Sequence, residues 1–220
     1  MIAGLAPHTA AIFEAVSELD CLKPYVLVGG TALSLQLNNR MSEDLDFMSW
    51  RQHKNEKREV DWPLIKRQLE TIGDVQNIDI LDLDHVEFLV SGVKISFYAN
   101  PNYSPLIKEA SSFLNNIRLA DITSIGGMKM EVMLRRSKFR DYYDIYCLLA
   151  EGVDIQQMID IALRYSGHKL KTKNIMAMLT RSERFIKDVS FSQLSPKFDI
   201  TPKEIEDRIK EHLIKSRKQN

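Results

Sequence analysis

Cysteine is nearly absent from this chain of 220 residues: only Cys21 and Cys147 occur, with no second cysteine near either and no histidine at metal-ligand spacing. A disulfide framework and a zinc site are thereby excluded, and two buried thiols are expected. Net charge is also missing, since 30 Lys and Arg balance 30 Asp and Glu. No global field attracts nucleic acid or a membrane, so any such attraction has to be local. Two basic clusters exist, "RQHKNEKR" at Arg51 to Arg58 and "LRRSKFR" at Leu134 to Arg140. No apolar run approaches the ~18 residues that span a bilayer, and the first residues lack the regions of a signal peptide. A cytoplasmic location with no membrane partner is expected. The histidines His8, His53, His85, His168 and His212 are scattered, with no triad and no metal pair among them.

What is present is ample core material, 44% hydrophobic residues, patterned as an α+β half followed by a helical half. Residues 9–19 read as an amphipathic helix. "YVLV" reads as a strand ended by Gly29-Gly30, and "TALSLQLNN" as a helix whose first residue, Thr31, caps it. "DLDFMS" is the second strand. "WPLIKRQLETIG" has Pro63 near a helix start and Gly73 just past its end. "VQNIDILDL", "HVEFLV" and "VKISFYA" follow as strands, the last two joined by Ser91-Gly92, which suits a tight hairpin. Helices are expected over 121–136, 140–149, 155–164, 173–187 and 202–215. The domain boundary is placed near residue 115, giving 1–115 and 116–220.

The chemistry-bearing stretch is "VLVGGTALSLQLNNRMSEDLDF", Val26 to Phe47. Alternation along a strand turns Asp44 and Asp46 to one side and Leu45 and Phe47 to the core. Two carboxylates aimed at one spot repel unless a cation lies between them, and hard oxygen ligands of this kind suit Mg²⁺. The glycine pair, having no Cβ, lets a phosphate approach the backbone N–H groups at the start of the next helix. Acids for a metal beside a phosphate cradle are the parts of a phosphoryl or nucleotidyl transfer site.

This order of strand, Gly-Gly, helix and acids on the next strand resembles the DNA polymerase β-like nucleotidyltransferase superfamily. The wording "LVGGTALSLQL…R.SEDLDF" is similar to the AbiEii/AbiGii-type nucleotidyltransferase toxins of bacterial abortive-infection and toxin–antitoxin systems. A second block, "LADITSIGGMKMEVMLRRSKFRDYYDIYCLL" at Leu119 to Leu149, resembles the family's later motifs. The resemblance implies a nucleotidyltransferase fold, with a small mixed sheet flanked by helices and a helical C-terminal half that completes the site and contacts the acceptor. It implies Mg²⁺-dependent transfer of a nucleoside monophosphate from an NTP to an acceptor hydroxyl, that of tRNA or another RNA, under the restraint of a cognate antitoxin. A catalytically inactive nucleotide-binding or protein-interaction module on the same fold is the alternative.

By the resemblance, Gly29, Gly30 and Thr31 cradle the triphosphate and Asp44 and Asp46 bind the metal. Arg40 and Ser42 either touch phosphate or, for Arg40, cap the preceding helix. Lys129 is the cation for the triphosphate, and Asp144 is the inward member of the pair Asp141 and Asp144. Asp141 either caps its helix or pairs with Arg140. The run Arg135, Arg136, Lys138 and Arg140 is either a phosphate-binding strip or a solvated helix end. One departure stands out: many relatives carry a third acid at the position of Ser96. If Ser91-Gly92 is a two-residue turn, Val90 faces Val93 and Glu87 lies across from Ser96, so Glu87 is the candidate replacement. The base of the NTP, the acceptor and the oligomeric state are not legible in the residues.

Overall fold

The computed structural model describes residues 2–50, 59–100, 110–133, 135–166 and 170–217. The basic stretch Arg51 to Arg58 with His53, and also Leu134 and His168, lie outside the described residues. The chain divides into two compact units after Asp121.

The first unit runs α1 (Pro7–Ser17), β1 (Val26–Val28), α2 (Gly29–Leu37), β2 (Leu45–Trp50), α3 (Trp62–Leu69), β3 (Val75–Asp82), β4 (His85–Val90), β5 (Val93–Asn100), β6 (Ser111–Leu114) and β7 (Ile117–Leu119). Its strands form one mixed sheet in the order β3-β4-β5-β2-β1-β7-β6. β2 runs parallel to β5 and β1 parallel to β7, whereas the β1/β2, β3/β4, β4/β5 and β6/β7 pairs are antiparallel. Period-2 alternation explains the core. Val86, Phe88 and Val90 are buried on β4, while His85 and Glu87 are half-buried and Leu89 is exposed. Phe97 stacks on Phe47 with ring centroids 5.4 Å apart and meets the edges of Tyr25 and Phe88.

Ser91 and Gly92 both have positive φ, 49° and 80°, the backbone of a two-residue hairpin turn. Val90 therefore faces Val93 and Glu87 faces Ser96, in the register expected from the sequence. The β6–β7 hairpin was not expected. It turns through Asn115, at φ 46°, and Asn116, whose N–H donates to the Ser17 carbonyl at 2.9 Å.

The second unit is helical: α4 (Ile122–Val132), α5 (Phe139–Ala150), α6 (Ile155–Tyr165), α7 (Thr172–Leu179) and α8 (Pro202–Arg217). The helix expected over 173–187 ends at Leu179. Beyond it the backbone is used elsewhere: Ser182 N–H donates to Glu206 Oε2 at 2.9 Å, and Ile186 bridges to Lys138. None of the described helices is long and apolar enough to cross a membrane.

Candidate active site

β1 passes into α2 with no intervening loop. Val28 is extended, Gly29 takes φ +70°, and the first turn of α2 is Gly29-Gly30-Thr31. Among the described residues no side chain caps this helix start, so its leading N–H groups are not consumed by such a cap. The reading of Thr31 as the cap is corrected here. The helix begins two residues earlier, and the buried Thr31 hydroxyl instead bonds Ser42 Oγ at 2.8 Å and the backbone carbonyl of Asp44. Thr31 thus ties the helix start to the approach of β2.

On β2 the half-buried Asp46 lies between the buried Leu45 and Phe47, and Asp44, also half-buried, sits just before the strand rather than in it. The site is tight. A Cβ on Gly29 would lie 2.7 Å from Asp46 Oδ2, so the carboxylate occupies the space that any other residue would need. A Cβ on Gly30 would lie 2.6 Å from Arg40 Nη2 and 3.2 Å from Ser42 Oγ. Arg40 is buried, and its Nη1 donates to the Met41 carbonyl at 2.9 Å. One side of the glycine pair therefore meets a carboxylate and the other a guanidinium. Such a placement suits a polyphosphate with its counter-cation.

Register carries the carboxylate row across the sheet. Val28 pairs with Asp46, Asp46 with Ser96, Ser96 with Glu87, and Glu87 with Asp79. Ser96 is buried, and among the described residues its hydroxyl has no hydrogen-bond partner. Glu87 Oε1 lies 3.5 Å from His85 Nε2 and 3.6 Å from Lys94 Nζ. Those two neighbours were missed from the sequence, although the hairpin register that places Glu87 also places them.

Among the described residues, no three His, Cys, Asp or Glu side chains gather to hold a metal ion. The residue types nonetheless fit a hard divalent cation that takes its remaining oxygens from water and phosphate, because the Asp46 carboxylate lies in the space that Gly29 leaves and Asp44 is two residues before it.

In the helical unit, Lys129 on α4 is buried and ion-paired with two fully buried carboxylates of α5. Its Nζ lies 3.2 Å from Asp141 Oδ1 and 2.7 Å from Asp144 Oδ2. Both aspartates point inward, whereas the sequence favoured Asp144 alone. Asp141 does not pair with Arg140: it receives Arg136 Nε at 3.2 Å, while Arg140 is engaged by Asp188. Arg135 pairs with Glu131 at 2.5 Å. The three arginines of the basic run are thus each offset by an acid within the unit. Burial pushes the Glu131 carboxyl up, and Arg135 opposes this.

Comparison with known proteins gives the lineage. Residues 11–217 match the profile of the family described as nucleotidyl transferase AbiEii toxin, type IV TA system. An uncharacterised protein of Aquifex aeolicus (strain VF5) is 26% identical over 208 residues, covering 91% of this chain and 93% of its own. The fold resembles the crystal structure of an H. pylori protein provisionally described as a nucleotidyltransferase, with TM-score 0.58, 22% identity and 97% and 96% of the two chains covered. It also resembles MenT4, a nucleotidyltransferase toxin of Mycobacterium tuberculosis H37Rv, with TM-score 0.57, 14% identity and 93% and 85% covered. The family profile spans both the glycine and aspartate stretch and the helical unit, and on that ground the chain is a nucleotidyltransferase that belongs to the AbiEii toxin family.

Proposed function

We propose that the chain transfers a nucleoside monophosphate from an NTP to the 3′ hydroxyl of an RNA, tRNA in this reading, and that a cognate antitoxin restrains it. The carrying observation is the Asp46 carboxylate filling the Cβ space of Gly29 beside the uncapped start of α2. In this reading, Asp44 and Asp46 hold Mg²⁺, which when bound offsets charge on the phosphates and acidifies the attacking hydroxyl. Gly29, Gly30 and Thr31 present the α2 start to the triphosphate, with Arg40 and Ser42 against Gly30 as polar neighbours. The acceptor oxygen forms a bond to the α-phosphorus while the bond from that phosphorus to the β-bridging oxygen breaks. Pyrophosphate leaves with the electron pair, and the hydroxyl proton passes to Glu87 and then to water. Lys129 and Asp144 enter this reading as the charged pair of the helical unit.

The test is incubation of the purified chain with each α-labelled NTP, Mg²⁺ and total RNA. Label in RNA that vanishes in Asp46→Ala supports the reading. NTP binding with no label in RNA, protein or small molecules points instead to a scaffold that has lost turnover.

A further inference from the structure

The sheet face beyond the acids carries side chains that the transfer step leaves unused. Along β5, Lys94, Ser96 and Tyr98 occupy alternate positions and so share one face. Lys94 and Tyr98 are half-buried. Tyr98 is flanked in register by Met48 on β2 and by His85 on β4. The Tyr98 and His85 rings meet edge to face, with centroids 5.6 Å apart at 81°. Between the aromatic pair and the lysine sits the Ser96 hydroxyl, buried and unpartnered among the described residues.

A cross-strand ion pair and an aromatic pair are ordinary ways to stabilise a sheet surface, and they account for Lys94 with Glu87 and for Tyr98 with His85. They do not account for Ser96. A buried hydroxyl with no partner is unfavourable, and such groups call for a ligand or another explanation.

We propose that this stripe is the subsite for the 3′-terminal nucleotide of the acceptor RNA, an inference that rests on the nucleotidyl-transfer reading above. The Tyr98 ring, steadied by His85, takes the base. Ser96 Oγ bonds a ribose hydroxyl, and Lys94 draws the adjoining phosphate. Residues two apart on a strand are about 6.6 Å apart, a spacing on the scale of the step from base to ribose to phosphate. Aromatic faces stack any base, and ribose hydroxyls both donate and accept, as a serine hydroxyl does. The placement also suits the reaction. Ser96 pairs with Asp46 on one side and Glu87 on the other, so a ribose held there presents its hydroxyl between the metal-side acid and the proton acceptor.

The test is transfer from an α-labelled NTP to bulk tRNA at varied tRNA concentration. Tyr98→Ala is expected to raise the KM for tRNA by roughly 5- to 150-fold, the effect of losing one stacked base, with the KM for NTP unchanged. Tyr98→Phe is expected to stay near the wild type. Where Tyr98→Ala does not fold, Ser96→Ala removes only the hydroxyl and is expected to raise the tRNA KM by about two- to tenfold. Labelled tRNA with an unchanged tRNA KM in the folded variants, or a KM for NTP that rises in step, overturns the subsite alone. Wild-type label on a protein or small molecule and none on RNA also overturns it. A wild-type chain that labels nothing overturns the transfer reading together with it.

Discussion

Asp46 Oδ2 lies where a side chain on Gly29 would begin, 2.7 Å from the position of a Cβ there. Two requirements therefore meet at Gly29, a φ of +70° that L side chains rarely adopt and an Asp46 carboxylate that would have to shift to admit a Cβ. Gly29→Ala is expected to cost about 1–3 kcal/mol of stability through strain and to displace the Asp46 carboxylate. Nucleotidyl transfer should then fall further than the loss of folded protein explains. Urea unfolding alongside initial rates checks this, and a variant with wild-type turnover per folded molecule would remove the proposed tie between the turn and the acid.

Glu87 faces Ser96 across the β4–β5 hairpin. If Glu87 accepts the proton, Glu87→Ala should lower kcat by about 10²–10⁴-fold. Adding Ser96→Asp to that variant should recover much of the rate, because the new carboxylate stands in the same row. A Glu87→Ala enzyme that keeps its kcat would show that two acids suffice.

Lys129 is the ammonium between two fully buried carboxylates. Lys129→Met leaves Asp144 and Asp141 without it and is expected to destabilise the protein by about 3–5 kcal/mol. Lys129→Met combined with Asp144→Asn should be less destabilised than Lys129→Met alone, since one orphaned charge has gone. Thermal unfolding of the wild type, Lys129→Met, Asp144→Asn and the double variant measures this. Additive losses would mean that the contacts are not coupled.

Two carboxylates of the helical unit are held below their usual range. Glu206 is bonded by Lys210, Ser182 and Lys203, and Asp188 by Arg140. A folded-state value below the unfolded one gives stability that is fully present above the unfolded carboxylate range, about 4, and is lost as pH falls through the folded value. The urea midpoint should therefore drop steadily below about pH 5, and less steeply in Glu206→Gln and Asp188→Asn. Equal slopes in all three proteins would place the acid sensitivity elsewhere.

The strands that carry the candidate site are legible because alternation and turn chemistry are local. "HVEFLV" and the two-residue turn Ser91-Gly92 together determine that Glu87 faces Ser96. The β6–β7 hairpin is not legible in the same way. Ser111 to Leu114 is mostly exposed and shows no alternation, and the pairing of β7 with β1 supplies what the local pattern lacks. Thr31 misleads for a related reason. Its hydroxyl is the usual cap chemistry, yet Ser42 and the Asp44 carbonyl, distant in sequence, claim it. The ion pairs of Lys129, Arg136 and Arg140 are set by how α4, α5 and the segment around Asp188 fold back, and no spacing rule encodes those partners.

The most direct test of the central claim is pyrophosphate release from NTP in the presence of acceptor RNA, measured with and without Mg²⁺ for the wild type, Asp44→Asn and Asp46→Asn. The account predicts Mg²⁺-dependent release by the wild type. It also predicts a loss of about a thousandfold in each variant, the equivalent of several kcal/mol of transition-state stabilisation. Release by the wild type that needs no divalent cation, or that persists undiminished in Asp46→Asn, would contradict it.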